Sequence, residues 1–264
     1  MDLKLKDLRA LVSGSSRGLG FATALALAKE GARVVVNSRH TEGATGAAEN
    51  IRWQTNNDQV YGVPGDVSEP QVPAELVRQA ADILGGLDIL ITNSGGPQAG
   101  SFASLDDAAW QKAVELNLLS HVRLIRAALP YLQASPAASV LTVTSYSVKQ
   151  PIPNLVLSNS VRAATVGLTK TLALELGNQG IRFNSILPGW TETERVTVLM
   201  QARAAQNQTT IEEEIQKQAA ASALGRMATP EEFANAAVFL VSPAAAYITG
   251  VMLTVDGGTY LGTL

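Results

Sequence analysis

The chain has 264 residues, 46% of them hydrophobic and 16% charged, with a formal net charge of −3. That balance suits one large globular domain with a substantial core and excludes a disordered chain. The slight acidity offers no basic face to nucleic acid. The lack of cysteine removes disulfides, thiolate nucleophiles and cysteine metal sites, and it predicts a reducing, cytoplasmic setting with no metal centre. No apolar run approaches membrane-spanning length, and the charge-studded start MDLKLKDLRA does not read as a signal peptide.

Strand and helix patterns alternate along the chain. Ala10 to Ser13 reads as an apolar strand and about Leu19 to Glu30 as a helix with an apolar face of Leu19, Thr23, Ala26 and Leu27, stopped at Gly31. Arg33 to Asn37 is a buried-type strand, Thr41 to Gln54 a polar helix and Gln59 to Val63 a strand that runs into Gly65-Asp66. Gln71 to Leu84 is helical with Pro73 in its first turn. Leu87 to Thr92 is a strand, Asp106 to about Gln133 one long helix and Ser139 to Thr144 a strand. Asn154 is placed to cap a helix from Leu155 to Leu176, ended at Gly177. Ile181 to Leu187 (strand), Pro230 to Val241 (helix) and Val251 to Val255 (strand) complete the series. Seven strands alternating with helices predict an α/β fold: a single-domain, Rossmann-like, doubly wound parallel sheet covered on both faces, spanning 1–264. The segment 191–223 breaks the rhythm; lying beyond a strand end, it predicts one or two helices acting as a substrate lid, with an oligomerisation arm or plain cover as the alternative.

Between the first strand and helix, Gly14, Gly18 and Gly20 form a G-x-x-x-G-x-G turn. Alone, that spacing marks only a tight turn. At the head of an alternating chain it reads as an anion site, where glycines admit a pyrophosphate to the backbone and a helix N-terminus supplies free N–H groups.

These residues, with Asp66-Val67, Asn93-Ser94-Gly95, Asn117, Ser145, Pro188-Gly189 with Thr193, and the tail Gly225-Arg226, Pro230-Glu231-Glu232 and Asp256-Gly257-Gly258, occur in an order and spacing that resemble the short-chain dehydrogenase/reductase family from about Leu5 to Gly258. The resemblance implies a nicotinamide dinucleotide and hydride exchange with a carbonyl or alcohol. It implies homodimers or homotetramers packed partly through the helices that contain Asn117 and Leu168. It assigns Gly14, Ser16, Gly18 and Leu19 to the pyrophosphate and ribose, Asp66 and Val67 to adenine, Asn93 and Gly95 to the adenosine ribose, and Pro188, Gly189 and Thr191 to the carboxamide. The second strand ends Asn37-Ser38-Arg39 without the carboxylate that would repel a 2′-phosphate, and Arg17 adds a second guanidinium. Two arginines and the Ser38 hydroxyl predict NADP, with NADPH preferred over NADH. His40 lies by the same region, while isolated His121 reads as a packed or partly solvated helix residue.

The catalytic positions depart from the family. Ser145 fits its serine and Asn117 its asparagine, but the Tyr-x-x-x-Lys positions fall on Ser158 and Arg162. Spaced i, i+4, these two still share a helix face, and Arg162 can serve the nicotinamide ribose. Serine is a far weaker acid than tyrosine, and arginine does not relay protons as lysine does. The substitution predicts an altered proton donor: Tyr146, or a water held by Ser145, Ser158 and Asn117. Tyr146 should point away from the site unless its strand has already ended. Two functions stay open: an NADP-dependent oxidoreductase acting on a small carbonyl or alcohol, and a catalytically retired dinucleotide-binding protein serving as sensor or inactive partner subunit. The loop Gly96 to Gly100 and the lid residues Val196, Leu199 and Met200 are expected to meet a partly apolar substrate.

Overall fold

The computed structural model describes residues 1–263. Seven strands, β1 (Arg9–Val12), β2 (Arg33–Ser38), β3 (Val60–Pro64), β4 (Ile89–Thr92), β5 (Ser139–Val143), β6 (Arg182–Pro188) and β7 (Met252–Val255), form one sheet in the order β3-β2-β1-β4-β5-β6-β7. Every pairing is parallel. Valine, isoleucine and leucine fill the central strands because both faces are covered by helices. Order reverses between β1 and β4, so their carboxyl ends diverge and open a crevice there.

One face carries α1 (Gly18–Lys29), α2 (Thr41–Thr55) and, late in the chain, α9 (Pro230–Val241), packed on a core that includes Val12, Val36, Ile91 and Phe233. The other carries α3 (Val72–Leu84), α5 (Ser120–Gln133) and α6 (Val156–Leu176) around Leu11, Leu90, Leu124 and Phe183. Along α1 the inward face is Gly20, Thr23, Ala24, Leu27 and Ala28, whereas Leu19 and Ala26 stay half-buried. Small residues dominate where α1 packs closely on α9 and on the glycine turn. The segment 191–223 folds into α7 (Glu194–Asn207) and α8 (Ile211–Ala220), whose apolar sides, Met200 among them, pack with Trp190 and Met227.

Two sequence expectations change. The helix after Asp106 begins with that aspartate as a true cap and runs as α4 (Asp107–Val114), but Glu115–Leu119 is a π-helical turn before α5. Such a turn inserts one residue and re-aims its side chains; it falls on Asn117. Asn154 does not cap α6: the cap position is Leu155, without a side-chain bond, and Asn154 has a left-handed φ of 61°. Its short polar side chain tolerates that turn, which is why asparagine stands there.

Candidate cofactor and active site

A cleft of about 1410 Å³ runs along the carboxyl ends of the strands, bounded by the glycine turn, the β2 and β3 ends, the loop after β4, Ser145, α6 and α7. At one end, the chain has fixed its own backbone. Gly14 has φ of 56°, and a Cβ on Gly20 would stand 2.5 Å from the Gly14 carbonyl and 2.8 Å from Asn93 Nδ2. Asn93 Nδ2 donates to the Gly14 carbonyl (2.8 Å), and Ser13 Oγ donates to the Asn93 carbonyl (2.7 Å). Buried Asn37 receives the Gly14 N–H and donates to the carbonyls of Val63 and Gly65. One amide thus ties β1, β2 and β3 together. Its signal in the sequence was a lone amide in an apolar strand.

Every residue expected to touch the cofactor lines this cleft: Gly14, Ser16, Arg17, Gly18 and Leu19; Ser38 and Arg39; Asp66 and Val67; Asn93 and Gly95; Arg162; Pro188, Gly189 and Thr191. Arg39 is exposed and makes no ion pair among the described residues, and His40 opens α2 beside it. Arg17 reaches across to Glu194 of α7 at 2.6 Å, an exposed pair of little energetic weight. Asp66 Oδ1 accepts from the Ser68 N–H and hydroxyl. A Cβ on Gly189 would lie 2.6 Å from Asp256, so only glycine fits there. Thr191 Oγ1 is buried on the cleft wall with no hydrogen-bond partner. An orphaned hydroxyl, a glycine cradle and a cleft of this size fit a dinucleotide.

At the other end, Ser145, Tyr146, Ser158 and Arg162 also face the cleft. β5 stops at Val143, so Tyr146 falls in a 3₁₀ turn, free of strand alternation, and reaches the cavity wall. Its hydroxyl accepts from Trp190 Nε1 at 2.9 Å, and burial raises its pKa. Arg203 covers the Trp190 ring, 4.7 Å from the centroid. Ser145 Oγ accepts from the Ser147 N–H, and Ser158 is buried in the first turn of α6. Arg162, only 7% exposed, donates through Nη1 to the carbonyls of Val143 (3.0 Å) and Thr144 (2.9 Å). Burial, with a smaller contribution from the nearby Arg195 guanidinium, pushes its pKa down to about 10.

Two placements differ from expectation. Asn117 sits behind the cleft wall rather than on it: its Nδ2 donates to Ser94 Oγ and the Gly95 carbonyl, Thr165 Oγ1 donates to its carbonyl, and its Oδ1 is buried without a partner. The π-turn directs its amide nitrogen onto the loop after β4. Met200 of α7 is wholly buried, while Val196 and Leu199 face the cleft. In the loop, Gly96 and Pro97 line this cleft, and Ala99 and Gly100 line a neighbouring cavity of about 330 Å³. His121 is buried, with Nδ1 2.6 Å from Thr92 Oγ1. Burial drives its pKa down to about 3, so it is neutral. Sequence reasoning missed Arg195, whose Nη2 donates to the Pro97 carbonyl at 2.7 Å across the cleft. A single arginine in a polar helix carries no pattern that would mark it.

A doubly wound parallel sheet with a dinucleotide cleft at its switch point defines a class of cofactor-dependent enzyme, and comparison with known proteins says which. The family model described as enoyl-(acyl carrier protein) reductase matches residues 14–260. Dehydrogenase/reductase SDR family member 4 of Sus scrofa is 34% identical over 97% of this chain and 88% of its own. The 3-oxoacyl-(acyl-carrier-protein) reductase FabG of Vibrio cholerae is 31% identical over 98% of this chain and 100% of its own. The crystal structure of L-sorbose reductase from Gluconobacter frateurii, complexed with NADPH and L-sorbose, superposes with a TM-score of 0.94 at 32% identity, covering 100% of both chains. The chain belongs to the short-chain dehydrogenase/reductase family of oxidoreductases.

Proposed function

We propose that this protein is an NADP-dependent oxidoreductase, favouring NADPH over NADH, that interconverts a small-molecule carbonyl and its alcohol with a proton source other than the family's tyrosine. The observation that carries this reading is a dinucleotide cleft kept intact in every backbone feature while Ser158 and Arg162 occupy its floor. Bound NADPH would supply the hydride. The NADPH in the L-sorbose reductase complex supports the cofactor choice, as does the open Ser38–Arg39 end of β2.

Gly14, Ser16, Gly18 and Leu19 would hold the pyrophosphate and ribose; Asp66 and Val67 the adenine; Asn93 and Gly95 its ribose; Arg17, Ser38 and Arg39 the 2′-phosphate; Pro188, Gly189 and Thr191 the carboxamide. Thr191 Oγ1 would gain its missing partner. Ser145 and Ser158 would donate to the substrate oxygen. Arg162, pinned to two carbonyls through one nitrogen, keeps its other guanidinium nitrogens for the nicotinamide ribose and for charge developing on that oxygen. The proton would reach the alkoxide from water in the cleft or from the Tyr146 hydroxyl. Losing a positioned acid costs about 10²- to 10⁴-fold, whereas juxtaposing the reactants supplies about 7 to 11 kcal/mol, so slow turnover survives the substitution. Asn117 positions the β4 loop.

The outer face of α6 leaves Ala163, Ala164 and Gly167 exposed. These small residues allow close helix approach and support a homodimer or homotetramer; light scattering at micromolar concentration would show a monomer if they do not. A cytoplasmic location agrees with the cysteine-free chain.

The test is NADPH binding by titration beside turnover on a carbonyl and alcohol panel. Binding with turnover is expected; binding with none across the panel would make the protein a retired dinucleotide binder.

A further inference from the structure

Arg162 and Arg195 approach the same cleft from opposite sides, one from α6 on its floor, the other from the first turn of α7 above it. They are close enough to repel, yet no carboxylate pairs with either among the described residues. Of the acidic residues that line the cleft, Glu194 pairs with Arg17, Glu115 with Arg123, and Asp66 turns onto Ser68; exposed Glu69 pairs with neither arginine. Arg162 is buried and Arg195 stands exposed at the cleft mouth, so an anion bound between them would relieve their repulsion and the desolvation of Arg162. Arg195 also keeps Nε and Nη1 unpaired, because its contact with Pro97 uses Nη2 alone. Planar guanidiniums match carboxylates in two-point contacts.

Taking the oxidoreductase reading as its ground, we propose that the substrate is a 2-oxo acid, and that Arg195, with Arg162, holds its carboxylate. Spacing selects that class. Ser158, facing the carbonyl oxygen, and Arg162 lie one helical turn apart, with Cβ atoms about 5 to 6 Å from each other. Adjacent carbonyl and carboxylate groups span such a gap. Arg195 leans on the backbone of Gly96 and Pro97, in the loop after β4 that is expected to meet the substrate. In the reaction, the carbonyl carbon accepts a hydride from the reduced nicotinamide and the π pair passes to oxygen. A water proton completes the hydroxyl, leaving a 2-hydroxy acid and the oxidised cofactor. The carboxylate keeps its charge throughout, so Arg195 acts by binding and orienting.

The test uses a panel of 2-oxo acids with aliphatic and aromatic tails, each beside its methyl ester, with NADPH. The expected result is a kcat/KM at least about tenfold higher for acid than for ester. Arg195→Gln narrows that ratio to within about twofold, and Arg195→Lys restores part of it. NADPH affinity in Arg195→Gln stays within about twofold of the unmutated protein. Thermal shift supplies the second readout: the acids raise the Tm of the NADPH-loaded protein and fail to do so in Arg195→Gln. Esters reduced as well as acids overturn the proposal, as does a loss of NADPH affinity in Arg195→Gln equal to the loss of acid binding, which would assign the guanidinium to the cofactor's phosphates. Acid binding that depends on Arg195 without turnover leaves the anion site standing and rejects the oxidoreductase reading. Turnover of neutral carbonyls with no acid effect does the reverse.

Discussion

The two ends of the cleft are built on opposite plans. At the glycine turn, polar groups are satisfied within the chain: Asn37, Asn93, Ser13 and Ser15 bond backbone atoms of β1, β2, β3 and β4, and the ligand is left with bare main chain. At the far end, Arg162 and Arg195 pair with no carboxylate among the described residues, and Ser145, Tyr146 and Ser158 line the cleft. A self-satisfied frame binds by shape and suits a cofactor that never changes. An unsatisfied wall binds by complementary groups and suits a part that varies. This contrast is what the proposed function requires: a cofactor frame of the family's kind beside an active site with Ser158 and Arg162 in place of its acid and relay.

The largest expected effect breaks the unsatisfied end. If Ser158 only marks a lost tyrosine, Ser158→Tyr with Arg162→Lys returns both donor and relay, and carbonyl reduction rises by about 10²- to 10⁴-fold in steady-state assays. Ser158→Tyr alone gains less, because Arg162 is pinned to Val143 and Thr144 and does not pass on protons. No gain on any carbonyl with NADPH affinity preserved rejects the lost-acid account and marks a site rebuilt around another donor.

Next in size is an attack on the frame. Gly20→Ala sets a methyl against the Gly14 carbonyl and Asn93 Nδ2, which the hydrogen-bonded turn cannot yield without releasing Asn93. NADPH affinity should fall by about 100-fold, or roughly 2.7 kcal/mol, in a fluorescence titration. Gly46→Ala on α2, where a Cβ meets nothing within 4 Å, should leave affinity unchanged and raise Tm slightly. Comparable losses in both variants would contradict a rigid turn. Arg39→Asp should then weaken NADPH by about tenfold or more and NADH far less, since it sets a like charge against the 2′-phosphate. Equal affinity for the two cofactors in the unmutated protein sinks that assignment.

How much of this was legible follows from the same contrast. The sheet, its helices and the residues that line the glycine-turn end of the cleft could be named from sequence because they depend on local spacing: glycines at a turn, apolar runs for strands, and proline or aspartate at helix starts, as with Pro230 and Asp106. The far end depends on contacts between distant segments. Arg195 meets Pro97 and Trp190 meets Tyr146 across nearly a hundred and more than forty positions respectively, and neither pair leaves a periodic trace. The π-turn at Asn117 and the left-handed Asn154 are departures from ideal geometry that apolar periodicity does not report.

The smallest predicted effect sharpens the line between the two ends, at Tyr146. Its hydroxyl borders the cleft, as a donor should, yet it is already the acceptor for Trp190 Nε1, whose ring carries Arg203 of α7. Burial raises its pKa, which makes the neutral phenol the form present near neutral pH and ionisation in the resting protein unfavourable. An acceptor bond leaves the phenolic proton free to point at a substrate, so the geometry serves either task and the rate decides. Tyr146→Phe strands the buried indole N–H at a cost of about 1 to 3 kcal/mol, seen as a lower Tm. If Tyr146 is chiefly the anchor for Trp190, the Tm falls while kcat drops less than about tenfold and NADPH affinity holds. A drop in kcat of at least about tenfold, accompanied by loss of the alkaline limb of the pH–rate profile, makes it the replacement acid. That limb is the discriminating readout: a phenol that must stay protonated to act loses activity as pH rises through its raised pKa, whereas a hydroxyl that only holds Trp190 contributes no such limb.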